Sequence, residues 1–541
     1  MSAPSWTVGR YVVETLAANG IDTVFGIPGV HNIELYRGLE LARVRHVLVR
    51  HEQNAVFAAD GYARASGRPA AAFVISGPGL TNALTALAQA WSDSVPLLLI
   101  ASAPVRASLG RGWGVLHELR DQRALVADVT AFAGSARSDS ELRAQLRSAF
   151  AALRSARPRP AYVDIPLDLL GEATDQRPEV FAGPSALPVP SRQALEQAQR
   201  LLAESQRPLF IAGGGARTAG AALGKLLESP GGYLVTTVAG KGIVAESHPA
   251  SLGVSLPYAA TQQLAAAADV VVAAGTELSE TDIYTTTRLP LQGRLIRIDV
   301  DEQKLHDHYA AEVPLQGDAA SSLELLAQSM AARGAAGRNG WRTVSAATSA
   351  AHRARIEAQL AADARPALAV LQALRESLPA DGAVFSDMTQ IAYLGNYAFP
   401  AERPGVWFHP SGYGALGYAL PAAIGARIAQ PQRPIVALAG DFGAQFTLQD
   451  LMTAVELDLT VPFIVWNNAA LGQIRDDMRA AGIAPIGVVA RNPDFVALAQ
   501  ACGAVGARIR DAAVLATALR AALARPGPTL LEVDATDFHL K

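Results

Sequence analysis

Two short polar turns close apolar runs in the last third of the chain, and their residue types suit a hard cation. "PIVALAGD" ends at Asp441, and "VPFIVWNN" ends at Asn467 and Asn468, 27 residues later. That interval fits one helix plus one strand with loops, the connection that a parallel strand pair needs. Parallel neighbours end on the same sheet edge, so a carboxylate and an amide oxygen would converge there. Magnesium is typically held by one or two carboxylates with phosphate oxygens and water. Asp441 and Asn468 are candidate ligands, and the backbone carbonyl of Ala470 is a candidate third. The segment after the first turn, "TLQDLMTAVELDL", has helical apolar spacing. The unpaired N–H groups and positive dipole end of a helix favour an anion. The turn itself reads Gly440-Asp441-Phe442-Gly443, with phenylalanine where a second glycine would be expected. Phosphate recognition there would use backbone N–H groups, which Phe442 still supplies. Its ring would then turn into the apolar layer, provided that φ at 442 is not positive, and Gly443 keeps the backbone flexibility. The alternative is that Asp441 caps a helix and the two asparagines form an ordinary turn. Both turns together, in this order and spacing, favour a metal diphosphate.

Such turns need parallel sheets to carry them, and the chain alternates accordingly. At 541 residues it is too long for one core, and a prior of ~150 residues per domain suggests three or four. A first block, 1–172, alternates helical stretches with "TVFGI", "AAAFVIS", "PLLLIAS" and "AYVDIP". The Pro- and Gly-rich "GEATDQRPEVFAGPSALPVPSR" then reads as a linker. A second block, 193–331, carries "RPLFIAGGGA", "GYLVTTV", "DVVVAAGTEL" and "RLIRIDVD". A helical connector rich in Ala and Arg leads to a third block, 366–541, with "GAVFSD", "PIVALAGD", "PFIVWNN" and "TLLEVDA". The expected class is α/β, with three domains, each a central parallel sheet flanked by helices. Half of the residues are hydrophobic, 18% are charged and the net charge is -3. That fits a packed globular enzyme and gives no reason to expect nucleic acid. The single cysteine, Cys502, excludes a disulfide framework or a cysteine zinc site. The N-terminus does not read as a secretory signal and the apolar runs are too short to span a membrane, so the cytoplasm is the expected compartment.

Taken together, these motifs resemble one family. Gly440-Asp441 with Asn467-Asn468 is similar to the thiamine diphosphate fingerprint. Arg50 to Ile100, "RHEQNAVFAADGYARASGRPAAAFVISGPGLTNALTALAQAWSDSVPLLLI", resembles the pyrimidine-domain core of the acetolactate synthase and 2-oxo acid decarboxylase family. "GYGALGYALPAAIGA" resembles its pyrophosphate domain, and the likeness covers essentially the whole chain. "FGIPGVHNIELYRGL", "ASLGRGWGVLHELRDQRA", "WNNAALGQIRDDM" and "ARNPDF" resemble the branch of 5-guanidino-2-oxopentanoate (2-ketoarginine) decarboxylases.

The resemblance implies thiamine diphosphate and Mg²⁺ as cofactors, pyrimidine, central and pyrophosphate domains, and a 2-oxo acid substrate decarboxylated through a C2 ylid and an enamine. It implies that Glu52 contacts N1′ of the aminopyrimidine, where an apolar cleft would raise its pKa; the alternative is an ion pair with Arg50. It makes Leu416 the wedge that bends the cofactor, and the Gly414 carbonyl an acceptor for the amino group; the alternative for Leu416 is core packing. Thr389, Gln390, Leu471 and Gly472 join Asp441, Phe442, Gly443 and Asn468 as cofactor contacts. "FGIPGVHN" and "SGPGLTN" would line the substrate side. Val30 stands where some decarboxylases use Asp or Ser in proton transfer, and it cannot relay a proton. His31 and His117 are the candidate proton carriers, and the alternative for each is a structural hydrogen bond. Gln473, Asp476 and Asp477, with Glu34 and Glu118, are candidate partners of a guanidinium tail; the alternative for the two aspartates is a solvated helix start. The glycine run "AGGGA" is weak evidence for a nucleotide, and FAD is not expected. A carboligase that joins the enamine to a second carbonyl is the second reading, and a non-catalytic nucleotide-binding protein, which would leave Glu52 without a use, is a third. A homodimer or homotetramer is implied, with active sites between subunits.

Overall fold

The computed structural model describes residues 6–539 apart from 184–185, 285, 334–340, 342–343, 345 and 361–363. The chain forms two compact units, one of residues 1–184, 384–390 and 412–539, the other of 185–383, 391–411 and 540–541. The first unit opens with six parallel strands: β1 (Thr23–Gly26), β2 (Arg45–Leu48), β3 (Ala70–Val74), β4 (Leu97–Ala103), β5 (Phe132–Ser135) and β6 (Ala161–Pro166). Their order in space is β2-β1-β3-β4-β6-β5. Every residue of β3 and β4 is buried. Their uninterrupted apolar runs are the mark of parallel strands covered on both faces. Leu142, Leu146 and Phe150 of the helix Asp139–Leu153 pack in one core with Leu98, Ile100 and Val163 of the sheet.

In the second unit, β7 (Pro208–Ala212), β8 (Tyr233–Thr236), β9 (Val270–Ala274), β10 (Arg294–Asp299) and β11 (Val313–Gln316) form a parallel sheet ordered β11-β10-β9-β7-β8. The glycine run after β7 is explained by packing. A Cβ at Gly213 would meet the Gly275 carbonyl oxygen at 2.3 Å, and one at Gly215 would meet Gly275 Cα at 2.9 Å. The connector to the third block contains the helix Ala346–Glu357.

The first unit's other sheet contains β12 (Ala383–Ser386), β14 (Ile435–Gly440), β15 (Pro462–Asn467), β16 (Val505–Ile509) and β17 (Thr529–Asp534), ordered β12-β14-β15-β17-β16; β13 (Trp407–Phe408) falls in the second unit. β14 and β15, β15 and β17, and β16 and β17 pair in parallel. Within this unit the helix Glu52–Ser66 crosses the helix Ala419–Ala429 at backbone distance. A Cβ at Gly61 would lie 2.0 Å from the Ala422 carbonyl oxygen, and one at Gly425 would lie 1.8 Å from that of Ala58. A buried polar cluster locks the crossing: Arg64 pairs with Asp60 and Asp93, both at 2.6 Å, and the Tyr418 hydroxyl donates to Asp60 at 2.6 Å. No helix among the described residues is long and apolar enough to cross a membrane.

Candidate active site

The β14–β15 register pairs Gly440 with Trp466, so Asp441 and Asn467 leave adjacent strand ends side by side. Asp441 begins the helix Asp441–Thr447 and is 2% exposed. Burial pushes its carboxyl up, opposed by hydrogen bonds from Asn492 and from the amides of Phe442, Asp441 and Ala469. Asn492 Nδ2 donates to Asp441 Oδ2 at 2.6 Å and to Asn467 Oδ1 at 2.8 Å. Asn467 is itself held by Glu532 at 2.7 Å. Asn468 Oδ1 accepts the Ala470 N–H at 3.1 Å, and its Nδ2 stands 3.5 Å from Gln390 Oε1. An isolated antiparallel bridge joins Ala470 to Val489, but its hydrogen bonds use the neighbouring residues. The Ala470 carbonyl therefore accepts no hydrogen bond among the described residues.

One carboxylate, one amide oxygen and one free carbonyl form an all-oxygen set that fits magnesium, with phosphate and water to complete it. No group of three or more His, Cys, Asp or Glu side chains able to hold a metal occurs among the described residues, so a cation here would rest on a single carboxylate. The backbone is kept bare around this set. A Cβ at Gly472 would lie 2.2 Å from Gln390 Oε1, and one at Gly440 would lie 2.7 Å from Thr389 Oγ1. Phe442 has no positive φ, so the local conformation is open to it. Its side chain is half-buried.

Asp387 follows β12 and is 1% exposed. It accepts the N–H groups of Met388, Gly417 and Ala419 at 2.8, 3.1 and 3.2 Å. Burial pushes its carboxyl up to about 6 in spite of those bonds. From the other side, Asp93 accepts the Gly412 N–H at 2.8 Å and Gln89 accepts that of Ala415 at 3.1 Å. The turn that carries Gly414, with φ +73°, and the half-buried Leu416 is thus pinned at four of its amides.

Glu52 is the first residue of its helix, capped by the His51 side chain. Its Oε2 accepts from Asn82 Nδ2 at 3.0 Å, and Arg50 pairs instead with Glu456 at 2.5 Å. His31 and His117 come together, with ring centroids 4.9 Å apart in an edge-to-face arrangement. His31 Nδ1 lies 2.6 Å from Ser76 Oγ. Burial, then the field of His117, lowers the His31 pKa. His117 has φ +64°, and its Nδ1 is buried without a hydrogen-bond partner. Val30 beside this pair is exposed.

The candidates for a substrate tail divide. Asp476 is engaged by Arg475 at 2.9 Å, by Arg479 at 3.4 Å and by Gln390 at 3.0 Å, and those contacts, Arg475 foremost, lower its pKa. Glu34 accepts from Nε and Nη2 of Arg37 at 2.8 and 2.9 Å. Glu118 accepts the Gly112 and Gly114 N–H groups at 2.9 and 2.7 Å and so shapes its own loop. Asp477 is exposed, with Gln473 as its neighbour at 3.0 Å. Asn492, Ser76, Gln122, Asp93 and Gln89 lie inside the motifs quoted above, Ser76 in the "SGPGLTN" loop expected on the substrate side, but the sequence assigns none of them an individual role. Each has a partner between 20 and 326 positions away that the sequence does not announce.

Comparison with known proteins matches three successive regions of the chain. Residues 6–125 match the thiamine pyrophosphate enzyme N-terminal TPP binding domain, 195–326 the central domain and 387–533 the C-terminal TPP binding domain. The chain is 48% identical over 534 residues to the probable 2-ketoarginine decarboxylase AruI of Pseudomonas aeruginosa, covering 97% of this chain and 94% of that protein. It is 30% identical over 536 residues to the acetolactate synthase isozyme 3 large subunit of Escherichia coli, at 95% and 91% coverage. The isozyme 2 large subunit of the same organism is also 30% identical, at 98% and 96% coverage. With three successive domains matched and near-full-length relatives, the chain belongs to the thiamine pyrophosphate enzyme family, among its decarboxylases and acetolactate synthases.

Proposed function

We propose that this protein decarboxylates 5-guanidino-2-oxopentanoate with thiamine diphosphate and Mg²⁺, releasing CO2 and the aldehyde one carbon shorter. The observation that carries the substrate is the 48% identity to a probable 2-ketoarginine decarboxylase along nearly the full length of both chains. When bound, the cofactor supplies the electron sink for the departing carboxylate. The chain supplies the rest. Asp441, Asn468 and the Ala470 carbonyl would hold the cation, and Thr389, Gln390, Leu471 and Gly472 would line the diphosphate. Gly414 and Leu416, on their pinned turn, would set the cofactor's bend. Glu52 would hold a proton at the aminopyrimidine N1′, kept in place by Asn82. Val30, His31 and His117 would face the substrate. Asp477, whose one side-chain hydrogen-bond partner among the described residues is the neutral Gln473, suits a guanidinium better than Asp476, which its own arginines already engage. We assign the domains as 1–172, 193–331 and 366–541, the central one without FAD, a reading that the packing of Gly213 and Gly215 on Gly275 supports.

The exposed Val30, Trp113 and Leu116 in the N-terminal part, and Tyr413 and Phe446 in the C-terminal part, support at least a homodimer in which a second copy covers them; a monomeric mass by light scattering would contradict it. The acetolactate synthase relatives favour carboligation as the second reading. A CO2-release screen over 2-oxo acids, with the second product identified, decides. The proposal expects the guanidino acid to be preferred over pyruvate, an aldehyde product, and a preference reduced by Asp477→Ala. A hydroxyketone from pyruvate as the main product would reject it.

A further inference from the structure

His31 is gripped on one edge of its ring. Its Nδ1 lies 2.6 Å from the hydroxyl of Ser76, a fully buried residue. The backbone at Ser76 is fixed by two other buried side chains. Its N–H donates to Ser102 Oγ at 3.1 Å. The next N–H, of Gly77, donates to Gln122 Oε1 at 3.0 Å, and Gln122 Nε2 donates to the Ser102 carbonyl at 3.0 Å. Gly77, with φ +60°, sits directly under the second histidine: a Cβ there would lie 2.7 Å from the His117 carbonyl oxygen. One buried turn therefore seats both rings.

The hydroxyl of Ser76 has no hydrogen-bond partner other than His31 among the described residues. A buried hydroxyl whose proton finds no acceptor loses its hydration without return, so the Ser76 proton goes to Nδ1. Burial and the nearby His117 favour the neutral form of His31, which has one N–H. With Nδ1 accepting, that proton is on Nε2, at the ring edge away from Ser76.

We propose that Ser76 is a positioning residue that fixes His31 as the Nε2–H tautomer, making His31 a hydrogen-bond donor to a substrate oxygen and not a proton carrier. A neutral imidazole can polarise an oxygen by donation from a ring N–H. To give that proton away it would have to become an imidazolate, which neutral pH does not permit. Proton transfer then falls to His117, whose buried Nδ1 has no partner within the described chain. The substrate-facing part of this inference rests on the decarboxylase reading above; the tautomer does not.

The test uses the full-length protein with its ten histidines labelled with nitrogen-15 in the ring. Protonated and bare ring nitrogens have well-separated shifts, and the His31 signal is the one lost in His31→Gln. The wild type should have a bare Nδ1 and a protonated Nε2. Ser76→Ala should convert His31 to a mixture of tautomers and lower kcat about 10-fold or more, short of the roughly 10²–10³ of deleting an oriented donor because part of the population keeps Nε2–H. Ser102→Ala, which leaves the Ser76 hydroxyl in place, should keep the Nε2–H form. A proton on Nδ1 in the wild type, or an unchanged tautomer in Ser76→Ala, overturns the proposal. If Ser76→Ala does not fold, the wild-type spectrum alone still decides. Absence of decarboxylation by the wild type would instead reject the functional reading and leave the tautomer result standing.

Discussion

Asp441, the one carboxylate of the proposed metal set, is buried and shares Asn492 with Asn467. Replacing it by Ala should abolish the rise in melting temperature that thiamine diphosphate plus Mg²⁺ gives the wild type, because ligand stabilisation scales with affinity for the folded state. An unchanged thermal shift would remove Asp441 from the metal set. A second carboxylate makes a pH prediction. Asp164 is almost fully buried and accepts the Ser135 hydroxyl at 2.6 Å; burial pushes its carboxyl up to about 6 from an ordinary 3.8. The folded chain therefore holds that proton more tightly than the unfolded chain does. The stability it contributes is complete below the ordinary value and is lost as the pH rises through about 6. The melting temperature of wild type minus that of Asp164→Asn should accordingly fall between pH 4 and pH 7, roughly the window set by those two values. A constant difference would mean that Asp164 titrates as it does in the unfolded chain.

Among elements, the crossing of the helices Glu52–Ser66 and Ala419–Ala429 makes the sharpest demand. An alanine at 425 would gain about 1 kcal/mol of helix propensity over glycine. Against that, its Cβ would fall 1.8 Å from the Ala58 carbonyl oxygen, and overpacking against an atom that cannot yield costs about 1–3 kcal/mol or more. Gly425→Ala should therefore lower the melting temperature; an equal or higher value would show that the helices can separate freely. The same level explains what the sequence made legible. The strands with continuous apolar runs, such as "AAAFV", "LLLIASA" and "IVALAG", were read correctly because they lie inside their sheets. β2, β5, β11 and β16 were missed. Each is the end strand of its sheet, and with one side uncovered each mixes polar and small residues, as "RHVL", "FAGS", "VPLQ" and "VGARI" do. The site followed the same logic. Asp441 and Asn468 were legible as candidates because they follow the ends of central strands. Asn492 and Ser76 were not, because a lone amide or hydroxyl has no sequence period to announce its partner.

At the scale of the whole molecule, the residues proposed for the chemistry come from two sheets of one unit. The N-terminal sheet brings Glu52, His31 and His117, and the C-terminal sheet brings Asp441, Asn468 and the pinned turn at 412–419. The third sheet, in the other unit, has its glycine run taken up by its own backbone packing. On the proposed reading Glu52 has one task, holding a proton at the cofactor, which is separable from binding the cofactor through Asp441. The most direct test is CO2 release from 5-guanidino-2-oxopentanoate by the wild type and by Glu52→Gln, both loaded with thiamine diphosphate and Mg²⁺. The wild type should release one CO2 per aldehyde formed. Glu52→Gln should bind the cofactor and turn over at least about 100-fold more slowly, the usual loss for a positioned acid–base group. Equal rates in the two proteins, or no CO2 from the wild type, would contradict the account.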